Sequence, residues 1–308
     1  MTAAPSSRGD TRPAHDTIHT PGCVPQESAW LSTTDRNRQL SDTVFDYLKC
    51  QRCGLIRLAT VPPDLARYYP DEYYELPSLQ RLAKIAAADP FKIDLVRRFV
   101  PRGRLMEIGP AQGVFAFQAK HAGFDVDVIE MDARCCDHLN NVVGVNAICS
   151  AAPGDVLPAL KSYDVIALWH VIEHVIDPWA LLDAMAHRIR PGGILVIATP
   201  NPDAWQFGIM RGEWPHVDAP RHLYLLPCEV LTVHLAAAGL NRVHYTSMDR
   251  DAKRWNRFGW QRLLMNRVPG KWPARAGYIV GMALSAVLAP FEGYGTRGSA
   301  YTLVFRKP

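Results

Sequence analysis

The chain has no apolar run long enough to cross a bilayer. Its most apolar stretch, residues 276–291, falls short of the ~20 residues that a spanning helix needs. Residues 1–18 are polar and lack the apolar core of a signal peptide. Without that signal, the seven cysteines read as reduced thiols or metal ligands and not as a disulfide framework. Strong charge of one sign is also missing. The net charge is +4 over 308 residues, and with no recognisable module beside it, nucleic acid is not an expected partner. No internal repeat is present. What remains is a globular composition, 48% hydrophobic and 21% charged, for which the cytoplasm is the default location. The length suits one good-sized domain plus a smaller module.

The stretch Arg104 to Gly113 says the most. An apolar strand reaches Glu107 and Ile108, a turn carries Gly109 and Gly113, and a helix opens at Val114. Glycine lets a ligand approach the backbone closely, and the helix N-terminus behind it offers free N–H groups. A second strand ends in Glu130, 23 residues after Glu107. A carboxylate there is placed to accept both hydroxyls of a ribose. The turn is nevertheless a poor dinucleotide fingerprint, because Pro110 and Ala111 interrupt the Gly-x-Gly-x-x-Gly spacing. Glu107 would repel a pyrophosphate and attract an ammonium. Adenosine joined to an amino-acid ammonium describes S-adenosylmethionine better than NAD.

Three segments carry a family resemblance. Glu107-Ile108-Gly109-Pro110-Ala111-Gln112-Gly113 resembles motif I of class I S-adenosylmethionine-dependent methyltransferases. Leu168 to Val175 resembles the segment after their fourth strand, and Arg190 to Ile197, followed by Thr199-Pro200-Asn201, resembles their turn into the fifth. The match covers roughly residues 80–248 and is closest to a bacterial small-molecule and glycan subgroup with an N-terminal zinc-ribbon-like module. The resemblance implies that Glu107 holds the methionine ammonium and that Gly109, Ala111 and Gly113 let the turn hug the cofactor. It also implies that Glu130 binds the ribose and that Met131 packs on the adenine. Trp169 and His170 fall where open α/β sheets bind ligands, outside the carboxyl ends of strands.

The pattern along the chain agrees with an α/β fold. Strands are expected at 104–109, 125–130, 145–149, 163–169, 193–199, 242–247 and 301–306, with helices between them, notably 78–100, 114–122 and 178–189. Such alternation predicts a Rossmann-like, seven-stranded, mainly parallel sheet with helices on both faces. By the resemblance the last strand is antiparallel. The expected organisation is a disordered tail over 1–17, a zinc-ribbon-like module over 18–75, a methyltransferase core over 76–248, a helical insertion over 249–300 and a last core strand over 301–308.

Three further constellations invite a role. His170-x-x-Glu173-His174 would share one face of a helix. Three readings stand open: groups that hold the shape of the site, a general base, or a divalent-metal site like that of some quinone O-methyltransferases, which carry Glu where His170 stands. Trp214, His216, Asp218, Arg221 and His222 follow the fifth strand and resemble a segment of the same subgroup. They suit a polar acceptor, with His216 or His222 as base, or else form a surface loop with a salt bridge between Asp218 and Arg221. Cys50-x-x-Cys53 is half a zinc ribbon; a closed structural site needs four ligands, and either Cys23 and His19 complete it or the module is a decayed, metal-free knuckle.

The insertion begins basic, with Lys253, Arg254, Arg257, Arg262, Arg267, Lys271 and Arg275 among Trp255, Phe258, Trp260 and Trp272, and then turns apolar. It reads either as a lid over the substrate cleft or as an interfacial element on a membrane. The function these features predict is S-adenosylmethionine-dependent methyl transfer to a small-molecule or glycan acceptor, lipid-linked if the insertion meets a membrane's inner face, with His170 or His222 as base. The alternative is an inactive scaffold of the same fold, docking on a membrane or partner through 249–291.

Overall fold

The computed structural model describes residues 19–70, 74–267 and 271–308; the tail expected over 1–17 lies outside them. Three strands come first: β1 (Glu27–Thr33), β2 (Phe45–Cys50) and β3 (Ile56–Leu58). Helices α1 (Leu79–Ala88) and α2 (Phe91–Phe99) follow. The single helix expected over 78–100 is thus broken at Asp89-Pro90. Proline has no N–H to give and drives the residue before it out of the helical region, and Asp89 sits at φ −147°.

Strand and helix then alternate: β4 (Arg104–Ile108), α3 (Val114–His121), β5 (Asp125–Glu130), α4 (Ala133–His138), β6 (Asn146–Cys149), α5 (Pro153–Val156), β7 (Tyr163–Trp169), α6 (Pro178–Arg188) and β8 (Ile189–Pro200). After α7 (Trp205–Met210) come β9 (Tyr224–Leu225), α8 (Cys228–Ala237) and β10 (Asn241–Thr246). The insertion forms two long helices, α9 (Arg250–Arg267) and α10 (Lys271–Glu292), before β11 (Ala300–Arg306).

Seven strands form one sheet in the order β10-β11-β8-β7-β4-β5-β6. All run one way except β11, which is antiparallel to both neighbours. This is the Rossmann-like sheet expected from the alternation. The central strands are near-continuous apolar runs because both faces are covered. Alternate residues point to opposite sides: Met106, Ile108, Ile166, Leu168, Leu195 and Ile197 enter one core layer, and Leu105, Val126, Val128, Val165, Ala167 and Val196 the other.

The second sheet has the order β1-β2-β3-β9, all antiparallel. Its last strand is supplied by the segment after β8, with Ile56 opposite Leu225. The N-terminal strands are therefore completed by residues far along the chain. A buried ion triad fixes the same junction. Arg221, with no exposed side-chain surface, reaches Asp35 at 2.7 Å and Asp218 at 2.7 Å. Asp218 also accepts from Asn37 Nδ2 at 2.6 Å, and the Tyr47 hydroxyl donates to the His222 carbonyl at 2.7 Å.

In the insertion, α9 packs on the core and α10 packs along α9. Two glycines of α10 make the close approach. A Cβ on Gly281 would lie 2.6 Å from Gln261 Cα, and one on Gly277 3.0 Å from the Leu264 backbone. At its far end α10 touches α7, where Phe291 stacks on Trp205 with ring centres 6.2 Å apart.

Candidate functional site

The turn between β4 and α3 lies at the carboxyl end of the central strands. Gly109, Ala111 and Gly113 all have positive φ, at 67°, 49° and 76°. Gly109 and Gly113 are also pressed by side chains: a Cβ on Gly109 would stand 2.6 Å from Val171 Cγ2, and one on Gly113 2.7 Å from Leu139 Cδ2. Packing by itself therefore demands glycine at both positions. Glu130, at the end of β5, accepts from the backbone N–H of Ala111 (2.9 Å), Met131 (2.7 Å) and Asp132 (3.0 Å). It ties the turn to the second strand. Met131 is exposed.

Glu107 is buried beneath this turn, and its Oε2 has no hydrogen-bond partner among the described residues. Burial pushes its carboxyl up to about 8, opposed by the charge of Lys92 and reinforced by that of Glu130. Trp169 packs edge-on to Phe115 and Phe91, with Lys92 Nζ 4.7 Å from its ring centre. Lys92 in turn pairs with Asp251 at 3.1 Å, linking this pocket to the start of α9. Sequence reasoning missed Lys92 and Asp251, which belong to no motif and meet only through the fold.

Next to Trp169 the histidines converge. The helix expected for His170-x-x-Glu173-His174 is absent. His170 takes a left-handed backbone, φ 59°, and a single 3-10 turn covers Ile172–His174. The turn brings Glu173 Oε1 within 3.7 Å of His170 Nδ1. Glu173 is fully buried, and its Oε2 accepts from the Thr199 hydroxyl at 3.0 Å. Burial alone would raise its carboxyl, but the His170, His222 and His174 rings outweigh it and hold it at about 2. Burial lowers His174 to about 4 and His216 to about 3.

The remaining contacts sort these rings. His174 Nδ1 donates to the Arg221 carbonyl at 2.9 Å, with the Tyr69 hydroxyl 3.1 Å away. His222 Nδ1 donates to the His216 carbonyl at 2.8 Å, and His216 Nε2 donates to the Trp255 carbonyl at 2.9 Å. Among the described residues His170 has no hydrogen bond on either ring nitrogen, and it lies against the Trp255 ring at 4.5 Å. Glu173, His174 and His222 present a carboxylate oxygen and two imidazole nitrogens within 4.8 Å of one another. That donor set suits a divalent cation.

Of the acceptor candidates, Trp214 and His216 are buried beside α9, with Trp214 Nε1 donating to Gln206 Oε1 at 3.3 Å. Asp218 and Arg221 form the salt bridge of the alternative reading, but the segment is buried and not the surface loop that reading expected. Trp255, which only its place among the basic residues of the insertion marked in the sequence, proves to be the ring that covers His170.

A separate cluster sits in the N-terminal sheet. His19, Cys23, Cys50 and Cys53 bring their ligand atoms within 4.8 Å of one another. Cys23 and Cys50 sulfurs are 3.9 Å apart, and His19 Nδ1 is 3.3 Å from Cys53 Sγ. A tetrahedral zinc site with ~2.3 Å Zn–S bonds has sulfur–sulfur edges near these lengths. Glu27 lies 3.3 Å from the other His19 nitrogen, where outer carboxylates orient ligating histidines.

The profile of a protein family described as a methyltransferase domain matches residues 79–245, just over half of the chain. Curated relatives are ubiquinone biosynthesis O-methyltransferases. That of Pectobacterium carotovorum is 26% identical over 125 residues, 38% of this chain and 52% of the relative. That of Xylella fastidiosa is 28% identical over 122 residues, 37% of this chain and 50% of the relative. The chain thus spans about half the length of the curated relatives it matches. Among solved structures, a SAM-dependent methyltransferase from Archaeoglobus fulgidus superposes with a TM-score of 0.49 at 18% identity, covering 73% of this chain and 94% of that one.

Proposed function

The chain belongs to this methyltransferase family, and on that premise we propose that it is an S-adenosylmethionine-dependent enzyme that methylates a hydroxyl of a small molecule. What supports this reading above all is the buried, unpartnered Oε2 of Glu107. A buried acceptor calls for a donor, and the cofactor's ammonium supplies one. In this reading Glu130 takes the ribose hydroxyls, Met131 covers the adenine, and Trp169 closes the wall of the pocket.

Methyl transfer is an in-line displacement at a sulfonium carbon. The protein's tasks are to align the acceptor oxygen and to remove its proton. His170 is the base in this proposal: it follows Trp169 directly, neither ring nitrogen is hydrogen-bonded among the described residues, and Nδ1 faces Glu173 at 3.7 Å. The Glu173 carboxylate would stabilise the imidazolium that forms. His222 has one nitrogen committed to the His216 carbonyl, which leaves the other facing Glu173 and His174. The relatives' names put O-methyl transfer first. A glycan hydroxyl, free or lipid-linked, is the other acceptor in keeping with the polar segment after β8, although Asp218 and Arg221 there are turned to each other. Calorimetry with S-adenosylmethionine tests the reading. Wild type binds, and Glu130→Ala weakens binding by roughly 1.5–3 kcal/mol, the scale of hydrogen bonds to a charged group. A wild-type chain that binds no cofactor would return the scaffold reading.

We further propose that His19, Cys23, Cys50 and Cys53 hold one structural zinc. Metal analysis of gently purified protein should give one zinc per chain. Cys50→Ser or Cys53→Ser should lose it together with the order of β1 to β3, because binding energy at such a site is folding energy. Full retention of a cooperative unfolding transition in metal-free protein would count against the site.

A further inference from the structure

The insertion has two unlike faces. Inward, α9 places Trp255 on His170 and His216, with ring centres 4.5 Å apart in each case, and Asp251 beside Lys92. Outward, α10 presents residues 276–291, which carry no charge. Although the uncharged run 276–291 is short of a spanning length, the helix Ala274–Glu292 as a whole is, contrary to the expectation from sequence, long and apolar enough to cross a membrane by length and composition, with a mean hydropathy of 1.4, yet only 17% of it is buried. Its small and polar residues face α9: Gly277 and Gly281 at the close approach, then buried Ser285 and Glu292. Its bulky apolar residues face away. Ile279, Val280, Val287 and Phe291 are each more than half exposed. The arrangement inverts what a core helix shows.

The charges around this face choose its partner. Residues 250–297 carry nine lysines and arginines against two acids, Asp251 and Glu292; Arg250, Arg254 and Arg267 pair with Asp89 or Glu213 outside the segment. Both acids are buried. Glu292 is turned inward, where it accepts from Gln206 at 2.7 Å and from Trp260 at 2.8 Å. Exposed Arg275 stands at one end of the apolar strip, and exposed Arg297 at the other, 5.5 Å from the ring centre of Tyr294. A second copy of the chain meeting this face would bring cations to cations, with no exposed acid on either hairpin to offset them. An anionic bilayer offers both a negative surface and an apolar interior, the combination that holds interfacial helices.

We infer that the outer face of α10 docks on the surface of an anionic lipid bilayer. The inner face of the same hairpin walls the histidine site, so docking sets that site beside a membrane-borne acceptor. Only this last step rests on the proposed methylation; the docking stands on the surface alone.

The experiment is flotation of the full chain with vesicles of phosphatidylglycerol and phosphatidylcholine. Two variants accompany wild type, Ile279→Glu with Val287→Glu, and Arg275→Glu. Both lie on exposed surface, and cofactor binding is measured on each to show that the fold is intact. Wild type should float at low salt, and its partition coefficient should fall about tenfold or more in high salt, where a Debye length shrinks to a few ångströms. The double variant should lose binding about tenfold or more, and Arg275→Glu should lose part of it. Pure phosphatidylcholine should bind weakly. Wild type that stays at the bottom of the gradient at low salt overturns the inference, as does a double variant that floats like wild type. A dimer that forms without vesicles and is abolished by the double variant would assign the face to a second copy instead.

Discussion

Arg221→Met should lower the unfolding free energy by about 3–5 kcal/mol, the cost of breaking a buried ion pair by removing one partner. The arginine has no exposed side-chain surface and faces Asp35 and Asp218. Its removal leaves two carboxylates close together in a dry junction. Burial opposes the charge of Asp218, but the hydrogen bonds and charge of Arg221, with His222 and Asn37, hold its carboxyl well below the usual range. A folded-state pKa below the unfolded one means that the unfolded chain binds more protons. The Asp218 contribution is therefore present at neutral pH and is lost as pH falls below about 4, the ordinary carboxylate range. Urea unfolding at pH 7 and at about pH 2.5 reads both effects: wild type loses stability on acidification, and the variant, already lacking the triad, loses less. A variant as stable as wild type at pH 7 would show that the junction does not depend on the triad.

The second large effect is on cofactor binding through Glu107. Its carboxyl sits at about 8 in the cofactor-free protein, chiefly through burial. It is therefore mostly protonated at pH 7, and an ammonium arriving beside it should expel the proton. Affinity for S-adenosylmethionine should rise with pH up to about 8, by as much as ~10-fold per pH unit, and fall again above, where the cofactor's own α-amino group loses its proton. Calorimetry in buffers of different ionisation enthalpy should show proton release at pH 7 that vanishes well above pH 8. Glu107→Gln should remove the pH dependence and weaken binding by roughly 1.5–3 kcal/mol at pH 8. Proton release unchanged in the variant would assign it to another group. The sign for folding is opposite. With the folded pKa raised, the native chain holds the extra proton, so this group's contribution to the stability of the cofactor-free protein falls as pH rises from about 4.5 to 8.

Much of the fold could be read from local pattern. The strands of the large sheet lie within a few residues of their expected places, because a strand buried on both faces is an apolar run with clear ends. Glu107 and Glu130 stood out for the same reason: an acid at the end of such a run is conspicuous. What the pattern could not show was anything decided by distant residues. Asp35 and Arg221 lie 186 positions apart, and no spacing rule joins them. β9 is two residues long and exists only because β3 offers it an edge. The His170 segment has helical spacing, but a left-handed residue and a 3-10 turn carry it, since the chain must pass close over Gly109. Lys92 was hidden in an ordinary amphipathic helix. Trp255 was visible as an aromatic among basic residues, but its ring partner was not.

The shared edge between β3 and β9 also has a consequence for how the protein is made. Residues 19–58 are translated well before the segment that completes their sheet. At 5–20 residues per second, the wait between Asp35 and Arg221 is roughly 10–40 s. During that interval Asp35 lacks its cation and β3 offers a bare edge to any other chain. The exposed interval of this protein thus spans the synthesis of most of its large sheet, and substitutions that keep residues 214–225 from closing the junction should show up as lost yield before they show up as lost activity.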